Sequence, residues 1–196
     1  MHDSEHSVEA LVYWLAHEHP EREIVPVLVP EMPFDRMREL ADHLAEALRG
    51  TDPEAAVAIS ADAIHYGSDF GHVGLGIGDE ETHQRVLARD LAIMRGPLSG
   101  EVTDEKAHRL YETFVDPERP ERYRVVWCGR FSIPFGVLLV SRLAGRRALA
   151  HPIAYSTSID APELAVRDRG LGDTAPANLF HFVGYPAVAF TSGNDR

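Results

Sequence analysis

The sequence predicts an α/β domain with a central, mostly parallel sheet flanked by helices. Three observations lead there. Strand-like apolar runs alternate with helix-period stripes along the chain. The run Ala55–Ala61 is apolar with little alternation, as expected of a strand buried on both faces with parallel neighbours. The 196 residues are 44% hydrophobic and 26% charged, the make-up of one globular domain spanning 1–196 with a core of its own.

Each element has a local reason. Ser4 can cap a helix from Glu5 to about Glu18, in which Val8, Leu11, Val12 and Leu15 form an i, i+3, i+4, i+7 stripe. Pro20 ends it. Ile24–Val29 is β-rich and bounded by prolines, and its Pro26 suggests a strand start or edge. A second helix runs from about Asp35 to Arg49, striped by Met37, Leu40, Ala41, Leu44 and Leu48 and closed by Gly50. Ala55–Ala61 follows as the central strand. Beyond Asp62, His65 and a glycine-dense loop, Gly71–Gly78, Asp79 caps a third helix that reaches Arg95 and stops at Gly96. A fourth runs from Asp104 to about Val115. Asp116–Arg124 reads as a charged loop. Ile133–Leu143 reads as a helix with Pro134 in its first turn. Ala148–Ser156 and Val183–Phe190 read as strands, separated by a long polar loop, Asp160–Asn178.

Composition excludes several function classes. Nineteen basic residues against 31 acidic ones give a net charge of −12, which argues against a phosphate-binding surface for nucleic acid. The bases are scattered arginines and one lysine, Lys106, so Schiff-base and P-loop chemistry lack material. No apolar run approaches the ~20 residues that span a bilayer. The polar, acidic N-terminus is no secretory signal, and the single Cys128 permits no internal disulfide; a cytoplasmic location is expected.

Asp62 and His65 follow directly on the run expected to be the central strand, where α/β sheets bind ligands. His65 can act as a general base whose tautomer Asp62 sets; the alternative is a polar turn. Cys128 is a small buried hydrophobe, a metal ligand, or a nucleophile paired with His65. Arg130 can clamp a substrate carboxylate. His6 and the triplet His17-Glu18-His19 read as solvated helix ends. The Gly71–Gly78 segment fails the G-x-G-x-x-G spacing, which leaves a flexible active-site loop.

Several segments together resemble the Memo family, which includes bacterial AmmeMemoRadiSam system protein B. Glu5-His6-Ser7-Val8-Glu9 is similar to its E-H-S-[IV]-E signature, and Val25–Val29 to its I-P-V-L-V strand. Ser60–Gly67 resembles S-S-D-x-x-H-[YW]-G. Cys128-Gly129-Arg130 with Ile133-Pro134 resembles C-G-R-x-P-[IV], shifted by one residue. Tyr155–Ser158 resembles Y-x-x-S, and Val183-Gly184-Tyr185 a late V-G-Y strand.

The resemblance implies a fold related to class III extradiol dioxygenases, which cleave phenolic rings at a non-haem iron. It makes His65 the proton-shuttling histidine, His6 a further active-site histidine and Cys128 a metal ligand. Alongside these, Asp62 is expected to orient His65, and Arg130, Tyr66 and Tyr185 to contact substrate. Iron is the implied metal, with copper or zinc as alternatives. The family's P-H-A-G-Y and S-H-H motifs, which carry two more metal histidines, do not occur here. The expected roles are therefore one half of a split metal-dependent oxygenase acting on a small aromatic compound, a degenerate binding module for a peptide or small ligand, or part of a longer protein. The isolated chain is expected to hold no tight metal, and to need a partner chain or a self-associated oligomer.

Overall fold

In a computed structural model, residues 7–52, 54–76, 78–144, 147–160 and 177–193 are described. His6, the Ser4 cap and most of the 160–178 connection lie outside them. The helices are α1 (Glu9–Glu18), α2 (Phe34–Thr51), α3 (Glu80–Arg95), α4 (Asp104–Phe114) and α5 (Ser132–Leu143). The strands are β1 (His65–Gly67), β2 (Gly100–Glu101), β3 (Val115–Asp116), β4 (Arg119–Tyr123), β5 (Ala148–Thr157) and β6 (His181–Ser192).

The sheet corrects the expectation of a mostly parallel one. Its order is β1-β6-β5-β2, and every pair is antiparallel. The long β5–β6 ladder pairs Ala148 with Ser192 at one end and Thr157 with Gly184 at the other, with a register shift between Pro152 and Ala154. Helix-strand alternation specifies the layers, but strand direction depends on which segments pair, and here the last strand of the chain pairs with both β1 and β5.

Ala55–Ala61 is likewise not a central strand. It is extended but belongs to no ladder, with Val57, Ile59 and Ala61 half-buried against the core and Ala56 and Ala58 exposed. Ile24–Val29 is also extended, unpaired and largely exposed. Asp116–Arg124, expected as a loop, carries the β3–β4 hairpin.

The main core lies between the sheet and α2, α4 and α5, around Met37, Leu110, Phe114, Trp127 and Leu138. The Trp127 and Phe114 rings stack with centroids 5.2 Å apart. A smaller cluster, Ile64, Tyr66, Val86 and Phe182, sits under α3. Arg142 of α5 joins the helices by pairing with Asp42 of α2 at 2.7 Å and with Asp104 of α4. No helix among the described residues is long and apolar enough to cross a membrane.

Candidate functional site

The short stretch from Asp62 to Gly67 is held on both sides. Towards β6, the Ala63 N–H donates to the Gly184 carbonyl at 2.7 Å and the Gly184 N–H to the Ile64 carbonyl at 2.9 Å. Towards the segment before α5, Ile64 forms an antiparallel bridge with Trp127, and the His65 N–H donates to the Val126 carbonyl at 2.9 Å. That bridge carries Cys128 to Asp62. The Asp62 N–H donates to the Cys128 sulfur at 2.9 Å. The donor atoms of Asp62, His65 and Cys128 all lie within 4.8 Å of one another.

His65 Nε2 is 3.4 Å from Asp62 Oδ2, near enough for an ion pair. The two groups are not aligned for a hydrogen bond, and among the described residues this buried nitrogen has no other hydrogen-bond partner. The Asp62 carboxylate, and after it the Cys128 sulfur, favour the imidazolium and push the His65 pKa up to about 9 against the opposing effect of burial. His65 therefore holds its proton at neutral pH, in the metal-free chain, and is disposed to donate it.

An open cleft of about 450 Å³ adjoins His65, lined also by Phe70, Gly71, His72, Arg122, Tyr123 and Val126. The His65 ring lies 4.9 Å from Phe70, which stacks on His181 at 4.7 Å. Burial, and then the Arg89 charge, hold His72 below the ordinary imidazole range. Arg130 places its guanidinium 4.0 Å from the Tyr123 ring centroid, and its Nη1 is buried without a partner. Arg122 has no carboxylate partner among the described residues.

The remaining expected residues divide. Tyr185 is 46% exposed on β6; burial, and then the Asp62 charge, raise its phenol. Tyr66 is fully buried in the smaller core cluster, and its hydroxyl donates to the Gly76 carbonyl. It is not brought to the Asp62–His65–Cys128 group. His6 lies outside the described residues; the carbonyl of its neighbour Ser7 accepts from the Ser60 hydroxyl.

Sequence reasoning missed Asp90. This carboxylate of α3 is fully buried behind the site and accepts from the Ile64 N–H at 3.1 Å, the Trp127 indole at 3.0 Å and the Tyr155 hydroxyl at 2.7 Å. The signal was present: Val86, Asp90, Ile93 and Met94 lie on one helical face, and an acid in an apolar stripe calls for buried partners.

Gly129 fixes how closely Cys128 approaches. A Cβ there would lie 2.3 Å from the Ala61 Cβ and 2.8 Å from Ile133 Cγ1. Gly129→Ala is expected to cost about 1–2 kcal/mol by overpacking and to move Cys128 away from Asp62. Thermal unfolding checks the first effect and the alkylation rate of Cys128 the second; unchanged alkylation would mean that the packing at Gly129 does not set the sulfur's position.

The chain is 25% identical over 188 residues to a MEMO1 family protein of Caldivirga maquilingensis, an alignment covering 96% of this chain and 52% of that protein. The chain thus spans about half the length of the curated relative it matches. A family model described as Memo-like protein matches residues 1–166, the stretch containing Asp62, His65 and Cys128, and the chain belongs to the Memo-like family.

Proposed function

We propose that the chain forms part of a non-haem metal-dependent, dioxygenase-type site acting on a small aromatic or phenolic compound. The observation that carries this reading is the meeting of Asp62, His65 and Cys128 beside a cleft with aromatic walls. Their donor set suits a metal. The Cys128 sulfur and the Asp62 carboxylate lie close enough to face one ion, with the His65 ring beside them. Cys128 would hold the ion, with further donors from a partner chain or a second copy. Non-haem iron bound there would supply Lewis-acid polarisation of a phenol oxygen and activation of dioxygen; copper is the redox-active alternative, and zinc would supply the Lewis acidity alone.

The chain's own residues do the rest. His65 exchanges a proton with the substrate at Nε2, and Asp62 orients the ring and stabilises the charged form. Phe70 and Tyr123 line the cleft and offer aromatic surface to a flat ligand. Arg122 of the cleft wall and Arg130, which lies over the Tyr123 ring, have no carboxylate partner among the described residues and suit an anionic substituent on that ligand. Tyr185 borders Asp62 and can contact a polar group.

A second reading, a ligand-binding module without turnover, is favoured by His65, whose proton stays on the ring at neutral pH and leaves only Asp62 and Cys128 as ready donors of the group. Metal analysis and dioxygen uptake with catechol and protocatechuate decide between the two. The expected result is little metal in the purified lone chain, and stoichiometric metal with dioxygen uptake once the missing donors are supplied. Stoichiometric iron, copper or zinc in the lone monomer, lost in Cys128→Ala, would overturn the shared site. Ligand binding without uptake in the metal-loaded complex would leave the binding module.

A further inference from the structure

We infer that α1, residues 24–29 and residues 55–61 form a docking face for strands of a second polypeptide, one corresponding to the half of the Caldivirga relative that this chain does not match. The inference rests on family membership and not on the dioxygenase-type reading.

The first observation is backbone hydrogen bonding. Among the described residues, the N–H groups of 24–25, 27–29 and 56–61 have no partner. Val57, Ile59 and Ala61 already face the core while Ala56 and Ala58 face out, the alternation of a strand with no neighbour. The order extended segment, α2, extended segment is that of a crossover unit, whose two strands lie parallel in one sheet. Here neither is bonded to the other or to any strand among the described residues. Such open edges are normally paired or covered.

The second observation is apolar exposure. Tyr13 is 77% exposed, Trp14 69% and Val25 80%, with Ile24 and Val27 also exposed. Among the described side chains, none of α1 belongs to either core cluster, although Leu11, Val12 and Leu15 are half-buried on one side of it. A helix apolar on both sides, next to an unpaired apolar strand, is built for burial on two faces. Aromatic residues of this kind are typical interface anchors.

The occupant follows from length and charge. The matched relative carries about as much chain again as the part aligned here. A second copy would bring the same unpaired segments and another net charge of −12. The acids Glu18, Glu21 and Glu23 between α1 and residues 24–29 oppose an anionic membrane surface.

The test isolates the tagged chain from its own host at native expression and identifies what accompanies it by mass spectrometry. Hydrogen exchange is then read on the isolated chain and on the assembly. The expected result is one equivalent of a separate polypeptide that aligns with the unmatched half of the Caldivirga protein; finding that half on the same polypeptide as this chain would overturn the assignment to a second one. Amides 24–25, 27–29 and 56–61 exchange freely in the isolated chain and at least tenfold more slowly in the assembly. A lone monomer, a homo-oligomer, a partner of unrelated sequence, or protection confined to other segments would overturn the proposal. Ala58→Pro removes an exposed N–H that bonds nothing in the lone chain, and should lower recovery of the partner at least tenfold; Ala58→Val should retain it. Equal recovery with both also overturns it. If Ala58→Pro loses protection in β6, the exchange comparison on the unaltered chain decides. An assembly that forms yet takes up no dioxygen sinks the oxygenase reading alone.

Discussion

Asp90→Ala lowers the stability of the chain by about 3–5 kcal/mol. The carboxylate takes three hydrogen bonds from three different parts of the fold: Ile64 beside β1, Trp127 before α5, and Tyr155 on β5. Truncation leaves three buried donors unsatisfied, each costing about 1–3 kcal/mol, partly offset where water enters the vacated space. Burial pushes the Asp90 carboxyl above the ordinary range, while Tyr155, Trp127, the Ile64 N–H and the Arg89 charge favour the anion. Asp90→Asn keeps one acceptor oxygen and should cost about half as much. Urea unfolding followed by Trp127 fluorescence measures both. The same substitution loosens the Ile64–Trp127 bridge, so Cys128 should alkylate faster in Asp90→Ala than in the parent. A loss below about 1 kcal/mol would mean that the carboxylate does not hold these segments together.

That network also marks the limit of what the sequence discloses. The helices α2 to α5 were legible from different signals: a stripe at helical spacing and Gly50 for α2, Asp79 as N-cap and Gly96 as stop for α3, and Pro134 in the first turn of α5; the Thr103 cap of α4, through the Lys106 N–H, is seen in the structure. β5 and β6 were legible from their apolar, β-branched runs. The direction of pairing was not, because alternation along one strand carries no information about its neighbour's polarity. Ala55–Ala61 misled for a related reason. Its apolar continuity suits a strand buried on both faces, but no strand among the described residues is there to bury it. The β3–β4 hairpin was hidden by exposure, since β4 reads Arg-Pro-Glu-Arg-Tyr with no apolar face. At the site, the Asp62 and His65 pairing was local and readable. Its meeting with Cys128, over sixty residues on, depended on the antiparallel bridge and was expected only from family resemblance. Arg122 and Tyr123 of the cleft wall sat in the hairpin read as a loop.

In the metal-free chain, stability should fall as pH rises from about 6.5 to about 9, and Asp62→Asn should abolish most of that fall. The folded His65 pKa of about 9 lies above an unfolded value of ~6.5. A group raised in the folded state adds stability that is fully present below the unfolded pKa and is lost as pH climbs through the folded one. Unscreened, a shift of this size corresponds to ~3.4 kcal/mol. Two features reduce it. The Asp62 side chain is 46% exposed, and its contact with Nε2 is a long 3.4 Å. Solvent screening therefore leaves about 2 kcal/mol. His72, lowered by burial and by Arg89, is neutral in both states across most of this window and contributes little to it. Denaturant unfolding at pH 6 and pH 9.5 in the presence of chelator gives the stability difference, and the His65 ring resonances give its titration directly. With Asp62→Asn the imidazole loses its principal charge partner, so its pKa should drop towards the ordinary value and the two stabilities should converge. A His65 that titrates near 6.5 in the unaltered chain would show that Asp62 and Cys128 do not hold its proton, and would remove the physical basis for its acid/base role.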